Sequence, residues 1–413
     1  MQKLFSSQAL LWAGRGFWAV ADQALFAGTN FLVSILLARW LEPAAYGAFA
    51  TAYAVFLLLG TLHTALWTEP MLVYGSGRFR EVFGGYQRVL LGYHWRFGAL
   101  IGLMFLLLGV GFWTFGGREM GFSFLGLAVA APAVLYLWLV RRGAYVHLNP
   151  RLAALGGGLY LSLFLGLAGF LFRAQLLNEA TAFLAMALAS ALAAEAIRWR
   201  LRERAPTQVG PSEVWALHWG YGRWALLAGA FSWVPGNIYY LLLPTFHGLE
   251  AAAQFKALMN LLMPILHFNG ALGSLLVPGM VRAKTGDDLK RFAKLSLLVF
   301  LALALGYWIV LTALGRELME WLYEGKYGQA SVWLPWLGVL PLFASVVLVA
   351  GSVLRALEKP QAVAAAYGLM AGFAATVGVA LVRVHGLGGA VQALLLTNAF
   401  AAFAFWRLAK GKG

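Results

Sequence analysis

Along the chain, twelve long apolar stretches are separated by short polar or basic segments. They fall at about 9–39, 44–68, 91–115, 119–140, 152–172, 178–197, 219–244, 252–280, 292–314, 331–354, 361–382 and 386–406. Each reaches the roughly 20 residues that a helix needs to cross a hydrocarbon core about 30 Å thick. A lone helix bonds all its backbone groups internally, as lipid demands. The alternation of apolar and polar residues that marks a barrel strand is missing from every stretch. The pattern predicts an all-α, polytopic membrane protein with about 12 transmembrane helices.

Charge gives the stretches an orientation. Only 11% of residues are charged and 62% are hydrophobic, against about 25% charged in soluble domains. With the N-terminus in the cytoplasm, 24 of the 31 Lys and Arg fall in cytoplasmic segments and 7 on the opposite side. Cytoplasmic loops retain such residues, so both termini are expected in the cytoplasm of a cell bounded by this membrane. The net charge of +15 then reports topology, and no nucleic-acid partner is expected. No small-residue cleavage site follows a short apolar core at the start, so the first helix is expected to direct insertion. With no Cys in the chain, disulfides and thiolate metal sites are excluded.

The chain also matches itself at a shift of about 208 residues. Gly14-Arg15 meets Gly222-Arg223, Gly28 meets Gly236, and Leu41-Glu42 meets Leu249-Glu250. Pro70 meets Pro278, Pro132 meets Pro341 and Pro150 meets Pro360, the drift in offset being that of one or two insertions. Six crossings per copy is an even number, so the copies share one orientation, and a site is expected between two pseudo-symmetric six-helix lobes. The lobes are expected at 1–200 and 218–413, joined by a cytoplasmic linker at 201–217. The arginines Arg198, Arg200, Arg202 and Arg204 at that junction are expected to anchor on lipid headgroups.

The same segments carry a family likeness. Phe31-Leu-Val-Ser-Ile-Leu-Leu-Ala-Arg39-Trp-Leu-Glu-Pro43-Ala-Ala-Tyr46-Gly47-Ala-Phe49 resembles the first helical hairpin of polysaccharide biosynthesis proteins. These are the Wzx-like oligosaccharide-lipid flippases of the multidrug/oligosaccharidyl-lipid/polysaccharide (MOP) exporter superfamily. Thr68-Glu69-Pro70-Met71-Leu72-Val73-Tyr74 and the Arg-containing loops ending at Pro150 and Pro360 are similar to that family too. The resemblance implies a fold shared with the MATE branch and transport of a polyprenyl-diphosphate-linked oligosaccharide for cell-surface polysaccharide synthesis. It also implies other polysaccharide-assembly proteins as partners. The two extra helices of lipid II flippases are lacking, which argues against a peptidoglycan role.

Charges within a span cost about 2.5–3.5 kcal/mol on insertion scales, so each needs a reason. Arg15 and its repeat mate Arg223 either hold a pyrophosphate headgroup, whose oxygens suit the guanidinium fork, or snorkel to the cytoplasmic headgroups. Asp22 lies two turns beyond Arg15. It either binds a coupling cation or proton or neutralises a buried base. Glu69 is either half of a gating ion pair or an ordinary interfacial carboxylate, and Glu195 is expected to pair with Arg198. Asn30, His63, Asn237, Asn260, His267, Asn269 and Asn398 either line a sugar cavity or bond between helices. Pro235-Gly236-Asn237 and Pro264 are expected to interrupt the seventh and eighth spans, making Asn237 a candidate cavity residue. Gly98/Gly102 and Gly368/Gly372 have helix-packing spacing, and Asp287-Asp288 is expected to cap the ninth helix.

Two functions compete. A flippase for an anionic lipid needs a basic cavity between lobes that alternate in access. A cation-coupled multidrug exporter needs an acidic, aromatic one. Neither calls for catalytic residues, a metal or a cofactor, and no phosphate-binding GxxxxGK[ST] loop occurs. The seven His show no metal-ligand spacing, and an enzyme is not expected.

Overall fold

The computed structural model describes residues 2–201, 208–273, 276–283, 286–357 and 359–410. Arg202 and Arg204 of the linker lie outside the described residues. Every element among the described residues is helical. The crossing helices are α1 (Gln2–Trp40), α2 (Pro43–Ser76), α3 (Phe83–Thr114), α4 (Arg118–Val146), α5 (Pro150–Arg173) and α6 (Glu179–Leu201). There follow α7 (Pro211–Asn237 continued by Tyr239–His247), α8 (Leu249–Arg282), α9 (Gly286–Tyr323) and α10 (Gly328–Ala356). The final apolar run, Gln361–Ala409, is 49 residues long.

Ten of these runs are long and apolar enough to cross, and the bent pair in α7 makes eleven. The twelfth is hidden in the final run. As one straight helix its 49 residues would reach about 73 Å, more than twice a hydrocarbon core. It turns back at Gly386, whose backbone adopts φ 55° and ψ −127°, a region that only glycine enters without strain. Phe373 stacks on Phe400 at 5.1 Å and Tyr367 meets Phe405 at 5.3 Å. Both pairs are centred on residue 386, so residues 361–385 and 387–409 form a helical hairpin, α11 and α12.

Local chemistry explains several helix ends. Pro150 and Pro360, matched in the repeat, each sit in the first turn of a helix, where a missing N–H costs nothing. The Asn149 side chain accepts from Leu152 N at 3.2 Å and caps α5. Asp287 and Asp288 lie within the first turn of α9 rather than at its cap, where they favour the positive end of the helix dipole. Helix α1 runs unbroken through Gly14, Gly16 and Gly28. Span α2 outlasts the expected 44–68 by continuing to Ser76 through a π-helical turn, Thr64–Thr68.

The prolines of α7 and α8 behave differently. The chain bends by 44° after Asn237, as expected from the Pro-Gly-Asn sequence. Pro264, expected to interrupt α8, lies inside a helix continuous from Leu249 to Gly273. Among the paired glycines, Gly98 faces Pro132 and Gly102 the Ala128 carbonyl, so both pack α3 on α4. Gly368 and Gly372 face open space and pack nothing.

By packing, the chain divides into two compact units, residues 1–33 with 55–229 and residues 34–54 with 230–413. In the second unit a side chain at Gly47 would overlap the Leu249 carbonyl, so α2 approaches α8 as closely as backbones permit. The end of α1 is pinned there too, by Arg39 to Glu324 and by Lys326 to the Arg39 and Leu41 carbonyls at 2.8 and 2.9 Å.

Candidate functional site

The first unit holds a cavity of about 170 Å³. Asp22, Gln23 and Phe26 line it from α1, Thr64 and Thr68 from the π turn of α2, and Trp138, Arg141, Arg142 and Tyr145 from α4. A π turn carries one extra residue per turn and leaves backbone groups without regular partners, which is why such turns gather at functional sites. Here it brings Thr64 and Thr68 to the cavity wall. Thr68 Oγ1 donates to the Thr64 carbonyl at 3.3 Å.

Asp22 is 1% exposed. Arg141 Nη2 donates to its Oδ1 at 2.6 Å and Tyr145 Oη to its Oδ2 at 2.6 Å. A buried carboxylate needs this saturation, because an uncompensated charge in an apolar setting is costly. The Arg141 guanidinium also lies 5.0 Å from the Phe26 ring centre, a favourable cation–π position, and keeps one buried donor, Nε, unsatisfied. Arg142 reaches the same cavity, is exposed, and has no carboxylate partner among the described residues. The cavity is therefore cationic: its one carboxylate is consumed by one of its two guanidiniums.

Asp22 is thus paired with a buried base, Arg141. Arg15 is half-buried and Arg223 exposed, and both fall in the first unit. Glu69 is exposed near the end of α2, just after the π turn. Glu195 pairs with Arg198 at 3.5 Å, as its spacing predicts.

The intramembrane amides mostly serve their own scaffold. Asn30 is half-buried. Asn237 Nδ2 donates to the Trp233 carbonyl one turn back, at 3.1 Å, and Asn398 does the same with Leu394 at 2.8 Å. His267 Nδ1 likewise bonds the Met263 carbonyl at 2.8 Å. Asn260 is the hub of a buried network in the second unit, accepting from Ser34 and donating to Tyr46 and Tyr323. Asn269 is buried with neither amide atom bonded.

Sequence reading did not single out Arg141, Arg142, Tyr145 or Gln23. In the sequence the two arginines read only as cytoplasmic charges. An acidic residue buried in α1 with a basic pair ending α4 was the available signal. It also passed over His218, whose Nδ1 lies 2.7 Å from the Leu66 carbonyl in the π turn while its Nε2 faces Tyr86 Oη at 2.6 Å. With Nδ1 donating to that carbonyl, Nε2 accepts from the tyrosine.

No family profile matches the chain, and no curated protein does. Solved structures do match along nearly its whole length. An inward-facing multidrug resistance MATE family transporter of the MOP superfamily aligns with a TM-score of 0.78 at 14% identity, covering 95% of this chain and 98% of the other. The eukaryotic MATE transporter AtDTX14 aligns at 0.69 and 14% identity, with 97% and 95% covered. A MOP superfamily transporter from Pyrococcus furiosus, described as having a binding pocket of reverse polarity that suggests a different function, aligns at 0.65 and 13% identity, with 95% and 94% covered. At these identities the likeness is one of fold: the chain has the multi-pass fold of the MATE transporters.

Proposed function

We propose that this chain is a membrane exporter that moves a polyprenyl-diphosphate-linked oligosaccharide between leaflets of the cytoplasmic membrane, by alternating access of its two units. The observation that carries the reading is the sign of the cavity at Asp22, Arg141 and Arg142. A diphosphate headgroup is excluded from hydrocarbon by its charge and needs fixed cations in place of its water. Arg142 offers a guanidinium with no carboxylate partner among the described residues and Arg141 holds a spare donor, while Thr64 and Gln23 supply neutral partners to oxygens. Arg15 and Arg223 extend the same positive unit, and the polyprenyl tail stays in lipid. On this reading both termini are cytoplasmic, and polysaccharide-assembly proteins supply and consume the cargo.

The competing reading, a cation-coupled multidrug exporter, draws support from the multidrug MATE transporters that share the fold. A cationic drug would need a free carboxylate, and Asp22 has none to offer while paired with Arg141. The two readings separate in proteoliposomes. Wild-type protein is expected to flip a fluorescent lipid-diphosphate oligosaccharide and to leave a cationic dye where it is. Arg142→Ala is expected to slow flipping at least about tenfold, since a charge-assisted hydrogen bond is worth about 1.5–3 kcal/mol. Dye export without lipid flipping, or an Arg142→Ala protein as fast as wild type, refutes the flippase reading.

A further inference from the structure

Away from that cavity, the first unit buries two imidazoles against each other. His63 on α2 and His94 on α3 are both 0% exposed, with His63 Nε2 and His94 Nδ1 3.1 Å apart. Among the described residues no hydrogen-bond partner reaches their outer nitrogens, His63 Nδ1 and His94 Nε2. The surroundings are aromatic. Trp67 and Phe97 lie 5.2 and 6.0 Å from the His63 ring, and Tyr136 stacks on His94 at 5.8 Å. We propose that this pair is a binding site for a single proton within the bilayer.

The count follows from the nitrogens. Two neutral imidazoles hold two N–H groups and two lone pairs, and the bond between the rings uses one of each. One N–H and one lone pair remain on the outer nitrogens. Whichever outer nitrogen holds the remaining hydrogen, the other is the vacant base. A first proton there keeps the inter-ring bond and makes it charge-assisted. A second would set two N–H groups and two like charges against each other across 3.1 Å, and is excluded. The ring faces of Trp67, Phe97 and Tyr136 are suited to the resulting cation.

Tyr136 Oη donates to Glu195 Oε1 at 2.7 Å, and Arg198 Nη1 donates to Tyr136 Oη at 3.4 Å. Tyr136, with Glu195 and Arg198 behind it, is the titratable group next to the pair. Among the described residues no carboxylate or guanidinium bonds either ring, so the loaded pair has no counter-ion where it lies. Proton occupancy therefore favours an arrangement in which water or a carboxylate reaches the rings. Such a linkage is what a gradient-driven cycle requires. A metal is a poorer occupant: no third ligand accompanies the pair among the described residues.

The role in transport rests on the exporter reading, but the proton itself is detected without cargo. With ¹⁵N-labelled histidine and the full chain in lipid nanodiscs, NMR should show His63 and His94 titrating together in one single-proton step. Removing either ring, as His63→Gln or His94→Gln, should move the survivor's midpoint by at least one pH unit, a tenfold change in proton affinity. His267→Gln, outside the pair, should leave the step unchanged. Two independent steps, or two rings still neutral at about pH 4, would overturn the proposal. The wild-type titration decides even where a variant does not fold. Absent lipid flipping with the shared step intact would sink the exporter reading and leave the proton site standing.

Discussion

Asp22→Ala is expected to destabilise the protein by about 3–5 kcal/mol, the range found when one partner of a buried ion pair is removed. The substitution strips Arg141, 12% exposed, of its counter-charge and leaves the Tyr145 hydroxyl without its acceptor. Removing both charges should cost less than removing one. In a double-mutant cycle followed by thermal unfolding in detergent, Asp22→Ala with Arg141→Leu is therefore expected to unfold at a higher temperature than Asp22→Ala alone. Additive losses would mean that the two groups do not depend on each other, contrary to the 2.6 Å contact. The cycle also bears on transport. Arg141→Leu removes one of the cavity's two guanidiniums, so flipping should fall even where stability recovers.

Asn260→Leu is the second large loss expected, at about 3 kcal/mol. Leucine keeps the branching of asparagine but ends three hydrogen bonds at once. These are Ser34 Oγ to Oδ1 at 2.9 Å, Nδ2 to Tyr46 Oη at 3.1 Å and Nδ2 to Tyr323 Oη at 3.3 Å. At about 1 kcal/mol net per bond the sum is about 3 kcal/mol. The loss is held down because Ser34 and Tyr46 still bond each other and Tyr323 still donates to the Ala257 carbonyl. Asn237→Leu provides the contrast. Its amide bonds only a carbonyl of its own helix, so its cost should stay below about 1 kcal/mol. Unfolding curves that rank the two substitutions equally would show that the network in the second unit does not hold α1, α2, α8 and α9 together.

Much of this architecture is legible without coordinates, because lipid imposes strict terms on sequence. Apolar length, proline position and the Lys/Arg asymmetry are all local or additive quantities. The crossings, the starts of α5 and α11, the bend after Asn237 and the Glu195–Arg198 pair follow from residues within a turn or two of each other. Pro264 shows the limit of such reasoning. Whether a proline breaks a helix depends on what surrounds the freed carbonyl, and α8 stays continuous there.

The candidate site was far less legible. Asp22 is 119 residues from Arg141, His63 is 31 from His94, and Ser34 is 226 from Asn260. In the sequence each is a lone polar residue in a greasy span, equally suited to cargo, ion or helix contact. Burial decides between those uses, since a polar group out of water must find a partner and, once paired, has less to offer a ligand. Composition and periodicity by themselves determined that the chain is a bundle of membrane-crossing helices. Only the packing of those helices decided that Asp22 is spent on Arg141, that Arg142 is left facing a cavity, and that two histidines share one bond. Partner choice depends on distances across helices, and a one-dimensional pattern does not carry them.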